Sequence, residues 1–346
     1  MRPLDGILVL DLTRLLPGAS ATLVLAQFGA EVIKIEEPGR GDYMREMAPE
    51  AFAMLNCGKK SVALDLKTPA GARDLAALAA RADVLVESFR PGVMDRLGMG
   101  YEALRETNPR LIYAAITGYG QSGPLATMAG HDINYIALGG LLGLTGTPDG
   151  PPVIPGVPVA DLAGGALQAV VGILLALMAR LASGRGQFVD ISMLAGVEAL
   201  LPQALGRYQA TGRLPAPGGE VLTGGFACYN LYQAADGRWV AVGALEPKFW
   251  AALCQGLECE SLIPDQYGGP ARQAQLKADL AERFQTKSAR EWFELFREAD
   301  ACITPVLFLS EIPSPGIVPR LLDTPGATGG EAPKLGEHTD EILGRQ

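Results

Sequence analysis

Short apolar runs alternate with longer amphipathic ones across residues 6–117, and this alternation constrains the fold more than any other feature of the chain. Residues 6–12 (GILVLDL) read as a buried strand, 17–28 (PGASATLVLAQF) as a helix with Pro17 in its first turn and Gly29 ending it, and 31–36 (EVIKIE) as a second strand. The cycle repeats with strand 61–66, helix 69–81, strand 83–87, helix 99–106 and strand 110–117. Strands separated by helices need crossover connections, which make a parallel sheet, so the expected class is α/β with a Rossmann-like large domain. No Gly-x-Gly-x-x-Gly follows the first strand, which argues against a nicotinamide or flavin dehydrogenase.

A proline-rich connection, 147–158, leads to Asp161 and then to the apolar segment 162–182 (LAGGALQAVVGILLALMARLA). That segment is as long as a membrane span, but Gln168 and Arg180 interrupt it and no second span accompanies it, so a helix buried in a large core is expected. Strand 187–191 and helix 192–205 follow. Composition changes in the Gly/Pro-rich stretch 212–225, where a domain boundary is placed. The expected organisation is a large domain over 1–210, a smaller α+β domain over 226–305 and a C-terminal segment, 306–346, returning to the first. The small domain is expected to hold strands at 228–233 and 239–243 around the Ala235-Asp236-Gly237-Arg238 turn, with helices at 246–257, 271–284 and 288–298.

A net charge of −9 in 346 residues argues against a broad nucleic-acid or anionic-membrane surface, so any anion site is local. The five cysteines are scattered without a Cys-x-x-Cys pair, which predicts reduced thiols and no metal centre. No signal-like apolar core precedes residue 6, and a cytoplasmic protein is expected.

The chemistry-bearing residues are few. His131, one of two histidines, stands in Gly130-His131-Asp132-Ile133-Asn134-Tyr135 between a glycine-rich turn and an apolar segment; it reads either as a structural side chain or as a group able to take and give a proton near neutrality. Asp161 is placed at the N-cap of the 162–182 helix, with Gly164 and Gly165 allowing close approach of a ligand; it reads as a simple cap or as a second acid/base group. Glu246, ahead of Pro247, is a helix cap or a carboxylate partner for His131. Lys59, Lys60, Lys67, Arg90 and Arg96 lie at loops and strand ends, where open α/β sheets bind ligands; each reads either as a solvated surface charge or as a partner for the phosphates of a ligand. His338, in the polar tail GEHTDE, is expected to be exposed.

With these residues in place, the sequence resembles the family III CoA-transferase superfamily, and within it the α-methylacyl-CoA racemases. The superfamily-wide pieces are LDGILVLDLT (4–13), FGAEVIKIEEPGRGD (28–42), SVALDLKTPAG (61–71), DVLVESFRPGVMDRLGMGYE (83–102), NPRLIYAAITGYGQSGP (108–124), GRGQFVDISM (184–193) and APKLGEHTDEIL (332–343). The racemase branch is marked by GHDINY (130–135), VADLAGG (159–165), DGRWVAVGALEPKFW (236–250) and DACITPV (300–306). The resemblance implies that His131 and Asp161 exchange a proton at a thioester α-carbon, and that Glu246 pairs with His131. It also implies that CoA is held by Leu64, Asp65, Leu66, Lys67, Arg90 and the turn of Gly130, Asp132, Ile133, Asn134 and Tyr135. No separate cofactor is implied, because CoA is part of the acyl-CoA substrate. The family's transferases instead use the aspartate as a nucleophile beneath a polyglycine loop; here Gly218-Gly219 and Gly224-Gly225 are separated pairs. Glu37 and Cys57 depart from the racemase pattern, standing where arginines are frequent. An interlocked homodimer, with no nucleic-acid or membrane partner, is the implied assembly.

Overall fold

The computed structural model describes residues 1–313 and 316–345; of the C-terminal segment read from sequence, Ser314, Pro315 and Gln346 lie outside the described residues. The chain divides into two units, 1–142 with 155–202 and 316–346, and 143–154 with 203–315.

In the first unit β1 (Leu8–Asp11), β2 (Glu31–Glu36), β3 (Lys60–Ala63), β4 (Val84–Glu87), β5 (Ile112–Thr117) and β6 (Phe188–Ser192) form one parallel sheet in the order β3-β2-β1-β4-β5-β6. The strands are apolar on both faces because helices cover both. Val9, Val84, Val86, Ile112 and Ile116 point to a layer that includes the helix Leu15–Gln27, while Leu10, Leu85 and Tyr113 point to the opposite layer, with Leu75 and Leu78 of the helix Pro69–Ala79. The order reverses between β1 and β4, and such a switch point opens a crevice at the carboxyl ends of the strands.

The 160–183 segment corrects the sequence reading. It enters as a π-helix, Ala160–Leu167, continues as an α-helix, Gln168–Ser183, and ends on left-handed Gly184. Only one side is buried, through Ala169, Ile173 and Ala176, whereas Leu175, Met178 and Leu181 are exposed. Arg180 lies on the buried side and pairs with Asp83 at 2.9 Å. The two glycines serve packing rather than a ligand: a Cβ on Gly164 would stand 2.6 Å from the Met193 carbonyl oxygen, and one on Gly165 3.0 Å from the Met193 side chain. The expected helix 192–205 is two helices, Met193–Glu198 and Pro202–Thr211, because Pro202 cannot donate the hydrogen bond that would continue the first. His338 is half-buried rather than exposed: its N–H donates to the Ser61 carbonyl at 2.9 Å, and Thr339 Oγ1 accepts from Ala63, so the tail occupies the free edge of β3.

The second unit holds β7 (Tyr229–Gln233), β8 (Trp239–Gly243) and β9 (Ile303–Pro305) in an antiparallel sheet, the last strand being too short to stand out in the sequence. The helices Pro247–Gly256, Pro270–Phe284 and Ala289–Phe296 contribute Trp250, Leu253, Leu276, Leu280, Phe284 and Trp292 to its core. Ser288 and Glu291 form a reciprocal capping box at the start of the last of these.

Candidate active site

Two cavities open at the carboxyl ends of the parallel strands. The first, about 320 Å³, lies beyond β4 and β5 and is lined by Arg14, Arg90, Tyr119, His131, Tyr135 and Asp161 among others. The second, about 470 Å³, lies beyond β1, β2 and β3 and includes Arg14, Glu37, Arg40, Tyr43 and the run Leu64, Asp65, Leu66, Lys67. Arg14, three residues beyond the end of β1 at the switch point, lines both.

His131 is held by its backbone and leaves its ring unengaged. It is the N-cap of the helix Asp132–Leu138; its N–H donates to Asn134 Oδ1 at 3.0 Å, and its carbonyl accepts from the Asn134 N–H at 2.8 Å. The imidazole makes no hydrogen bond to the described residues of its own unit. Tyr135 completes the turn by donating its hydroxyl to the Gly130 carbonyl at 2.6 Å. Glycine is required on both sides of that ring, since a Cβ on Gly118 or Gly130 would stand 2.4 or 2.7 Å from a Tyr135 ring carbon. Tyr119 packs edge-on against Tyr135, ring centroids 5.1 Å apart, with its hydroxyl buried and unpaired.

Asp161 lies in the first turn of the π-helix, not at the N-cap that the sequence suggested; Val159 occupies that place, so the helix begins directly after Pro158. The Asp161 N–H, one of the donors a helix start leaves without an internal partner, goes to Asp132 Oδ1 at 3.1 Å. Burial pushes the Asp161 carboxyl up to about 6; the negative charge of Asp132 adds to the shift and His131 opposes it. A carboxyl poised there exists in both protonation states near neutrality, which is what proton exchange demands.

The second cavity stands on a buried ionic floor. Lys59 donates to Asp11, Thr22 and Asn56, and Lys34 pairs with Asp42 at 3.0 Å. Burial disfavours the Asp11 carboxylate, but Lys34 and Lys59, with the hydroxyls of Thr13 and Thr22, overcome this and hold it down at about 2. Asp42 Oδ1 accepts from the N–H groups of Leu15 and Met44, and its own N–H donates to Glu36, which anchors the 37–43 loop over the cavity. Above this floor Arg14 donates to the Tyr43 hydroxyl at 2.6 Å and pairs with Glu37 at 3.3 Å; Lys67 meets the other Glu37 oxygen at 3.2 Å. Arg40 stacks on the Tyr43 ring, 4.3 Å from its centroid. Arg14, Arg40 and Lys67 face a cavity that also carries Glu36, Glu37, Asp42 and Asp65; Glu36 and Asp42 are neutralised by Arg45 and Lys34, which leaves the three cations as the groups able to meet the phosphates of a ligand.

The sequence-derived candidates therefore separate. His131, Asp161, Arg90, Gly130 and Tyr135 share the first cavity, and Leu64, Asp65, Leu66 and Lys67 share the second. Asp132 and Asn134 act on the turn and on Asp161 through hydrogen bonds, and Ile133 is exposed. Glu246 belongs to the second unit, at the N-cap of Pro247–Gly256, where its side chain makes no cap hydrogen bond. Lys59 is sealed in the ionic floor and Lys60 is paired with Glu31 and Glu341, so neither offers a free charge; Arg96 lines neither cavity. Cys57 lies outside both, its thiol donating to the Met54 carbonyl. Sequence reasoning passed over Arg14, Arg40 and Tyr43. The signal for Arg14 was its place in the loop that follows the first strand, where the crevice of such a sheet begins. Among the described residues no cluster of side chains is suited to a metal ion.

Comparison with known proteins identifies the family. A model of the CoA-transferase family III matches residues 4–313. The chain is 41% identical to human (Homo sapiens) α-methylacyl-CoA racemase, covering 98% of this chain and 92% of that protein. It is 38% identical to acetyl-CoA:oxalate CoA-transferase of Acetobacter aceti, over 89% of this chain and 82% of that one. Its fold matches the crystal structure of a CaiB/BaiF family protein from Brucella suis with a TM-score of 0.87, at 29% identity and covering 99% of both chains. A six-stranded parallel sheet with a crevice at its switch point, matched along nearly its whole length by these relatives, belongs to a member of the CoA-transferase family III, whose enzymes act on CoA thioesters.

Proposed function

We propose that this protein is a racemase or epimerase of 2-methyl-branched acyl-CoA thioesters. The observation that carries the reading is that His131 and Asp161 line one cavity, the imidazole unengaged within its unit and the carboxyl poised near 6. In one direction the His131 imidazole takes the α-proton, the electron pair delocalises onto the thioester oxygen as an enolate, and protonated Asp161 returns a proton to the opposite face. In the other direction the two exchange roles. The nucleotide end of CoA would lie in the second cavity among Arg14, Arg40 and Lys67, with Arg14 and Arg90 toward the pantetheine. Glu246 of a second copy would orient the His131 ring in an interlocked dimer. The exposed apolar side of the 168–183 helix, including Leu175, Met178 and Leu181, supports such an assembly. The test is incubation of a single-enantiomer 2-methylacyl-CoA in deuterated water: α-deuterium incorporation with loss of stereochemical purity is expected, and absence of both rejects the assignment.

The second reading is CoA transfer, favoured by the 38% identity to a transferase. There ionised Asp161 attacks the thioester carbonyl and expels CoA thiolate, leaving an acyl anhydride on the carboxylate. Hydroxylamine trapping followed by mass spectrometry of the Asp161 peptide separates the two, since a racemase leaves that peptide unmodified. A third reading, acyl-CoA binding without catalysis, predicts CoA binding with no thioester turned over.

A further inference from the structure

We propose that Asp132 is a positioning residue for the acid/base pair: its carboxylate tethers the main chain of Asp161 and sets a second acidic group beside that side chain. This deepens the racemase reading and rests on it. Asp132 opens the helix Asp132–Leu138, yet Oδ1 accepts from the first turn of a different helix, at Asp161. An asparagine would satisfy that N–H equally well. A carboxylate beside a second, half-buried carboxyl costs stability if both ionise, so its presence is better explained by what it does to Asp161. The titratable groups around Asp161 are His131, Asp132 and Tyr135 of that helix, with Arg14, Arg90 and Tyr119 from the strand-end loops lining the same cavity. After burial itself, Asp132 is the largest influence holding the proton on Asp161, and His131 opposes it.

The test compares Asp132→Asn, which keeps an oxygen acceptor and removes the charge, with Asp132→Glu, which keeps the charge. The readout is the ¹³C NMR titration of the Asp161 carboxyl in unliganded protein, assigned by its absence in Asp161→Asn. It involves no turnover, so failure of the racemase reading leaves it interpretable. In Asp132→Asn the proton affinity of Asp161 falls about three- to tenfold, and the acid limb of kcat/KM for α-deuterium exchange moves to lower pH with it. Asp132→Glu titrates closer to wild type. An unmoved midpoint in Asp132→Asn, or equal shifts in the two variants, overturns the proposal. So does loss of cooperative melting in the asparagine variant, because the charge would then be structural.

Discussion

Arg14 and Glu37 face each other at 3.3 Å between the ends of β1 and β2, so a carboxylate occupies the cations that line the larger cavity. The same carboxylate pairs with Lys67. A phosphate entering this cavity competes with Glu37 for both. Glu37→Gln is therefore expected to tighten CoA binding by about three- to tenfold, with a weaker gain for CoA lacking its 3′-phosphate, both read by isothermal titration calorimetry. Unchanged or weaker binding would mean that the phosphates do not meet Arg14 and Lys67.

The main chain of His131 is fixed by hydrogen bonds to Asn134, and its ring makes no hydrogen bond to the described residues of its unit. His131→Ala is expected to keep the wild-type melting temperature within a few degrees and to retain CoA binding. The same substitution should lower α-deuterium exchange by about 10²–10⁴-fold. A collapse in thermal stability with the activity would assign the residue to the fold instead.

Glu87 predicts a pH dependence of stability. It is 5% exposed and accepts from the Phe89 N–H at 2.6 Å. Burial pushes its carboxyl up to about 8 from an ordinary 4.5, the Phe89 hydrogen bond opposing and Asp95 adding to the rise. The folded state thus holds a proton that the unfolded chain has already released, so this contribution is complete below about 4.5 and is lost as pH rises through about 8. Glu87→Gln, which mimics the neutral acid, should flatten the fall in stability between these limits, measured by urea unfolding at several pH values. A slope identical to wild type would contradict an un-ionised Glu87.

Gly164 and Gly196 bring the π-helix and the helix Met193–Glu198 into backbone contact, three residues from Asp161. A methyl group at Gly164 must displace one helix, which should cost about 1–3 kcal/mol of stability. The α-deuterium exchange rate should fall with it, because Asp161 moves with the displaced turn. Unfolding and exchange measured on Gly164→Ala check both; a variant that is destabilised yet fully active would show that the crossing does not position the carboxyl.

The parallel sheet was legible in the chain because strands buried on both faces are written as unbroken apolar runs, such as VLVE in β4 and IYAAIT in β5. Elements without such a run escaped: the three-residue β9, whose partners come from distant sequence, and the break at Pro202 inside an otherwise helical pattern. His131, Asp161 and Lys67 could be named from their local contexts, whereas Leu64, Asp65 and Leu66 were implied only by the family resemblance.

Their relationships could not be read locally. That Asp132 caps the turn holding Asp161, that Lys59 is sealed away while Lys67 faces a cavity, and that the apolar helix buries one side and exposes the other all depend on residues far apart in the chain. Periodicity and residue type determine which segments can form strands and helices, since both are written within a few consecutive residues. Burial, ion pairing and the protonation of a carboxyl are set by what the folded chain brings alongside, and those neighbours exist only in three dimensions.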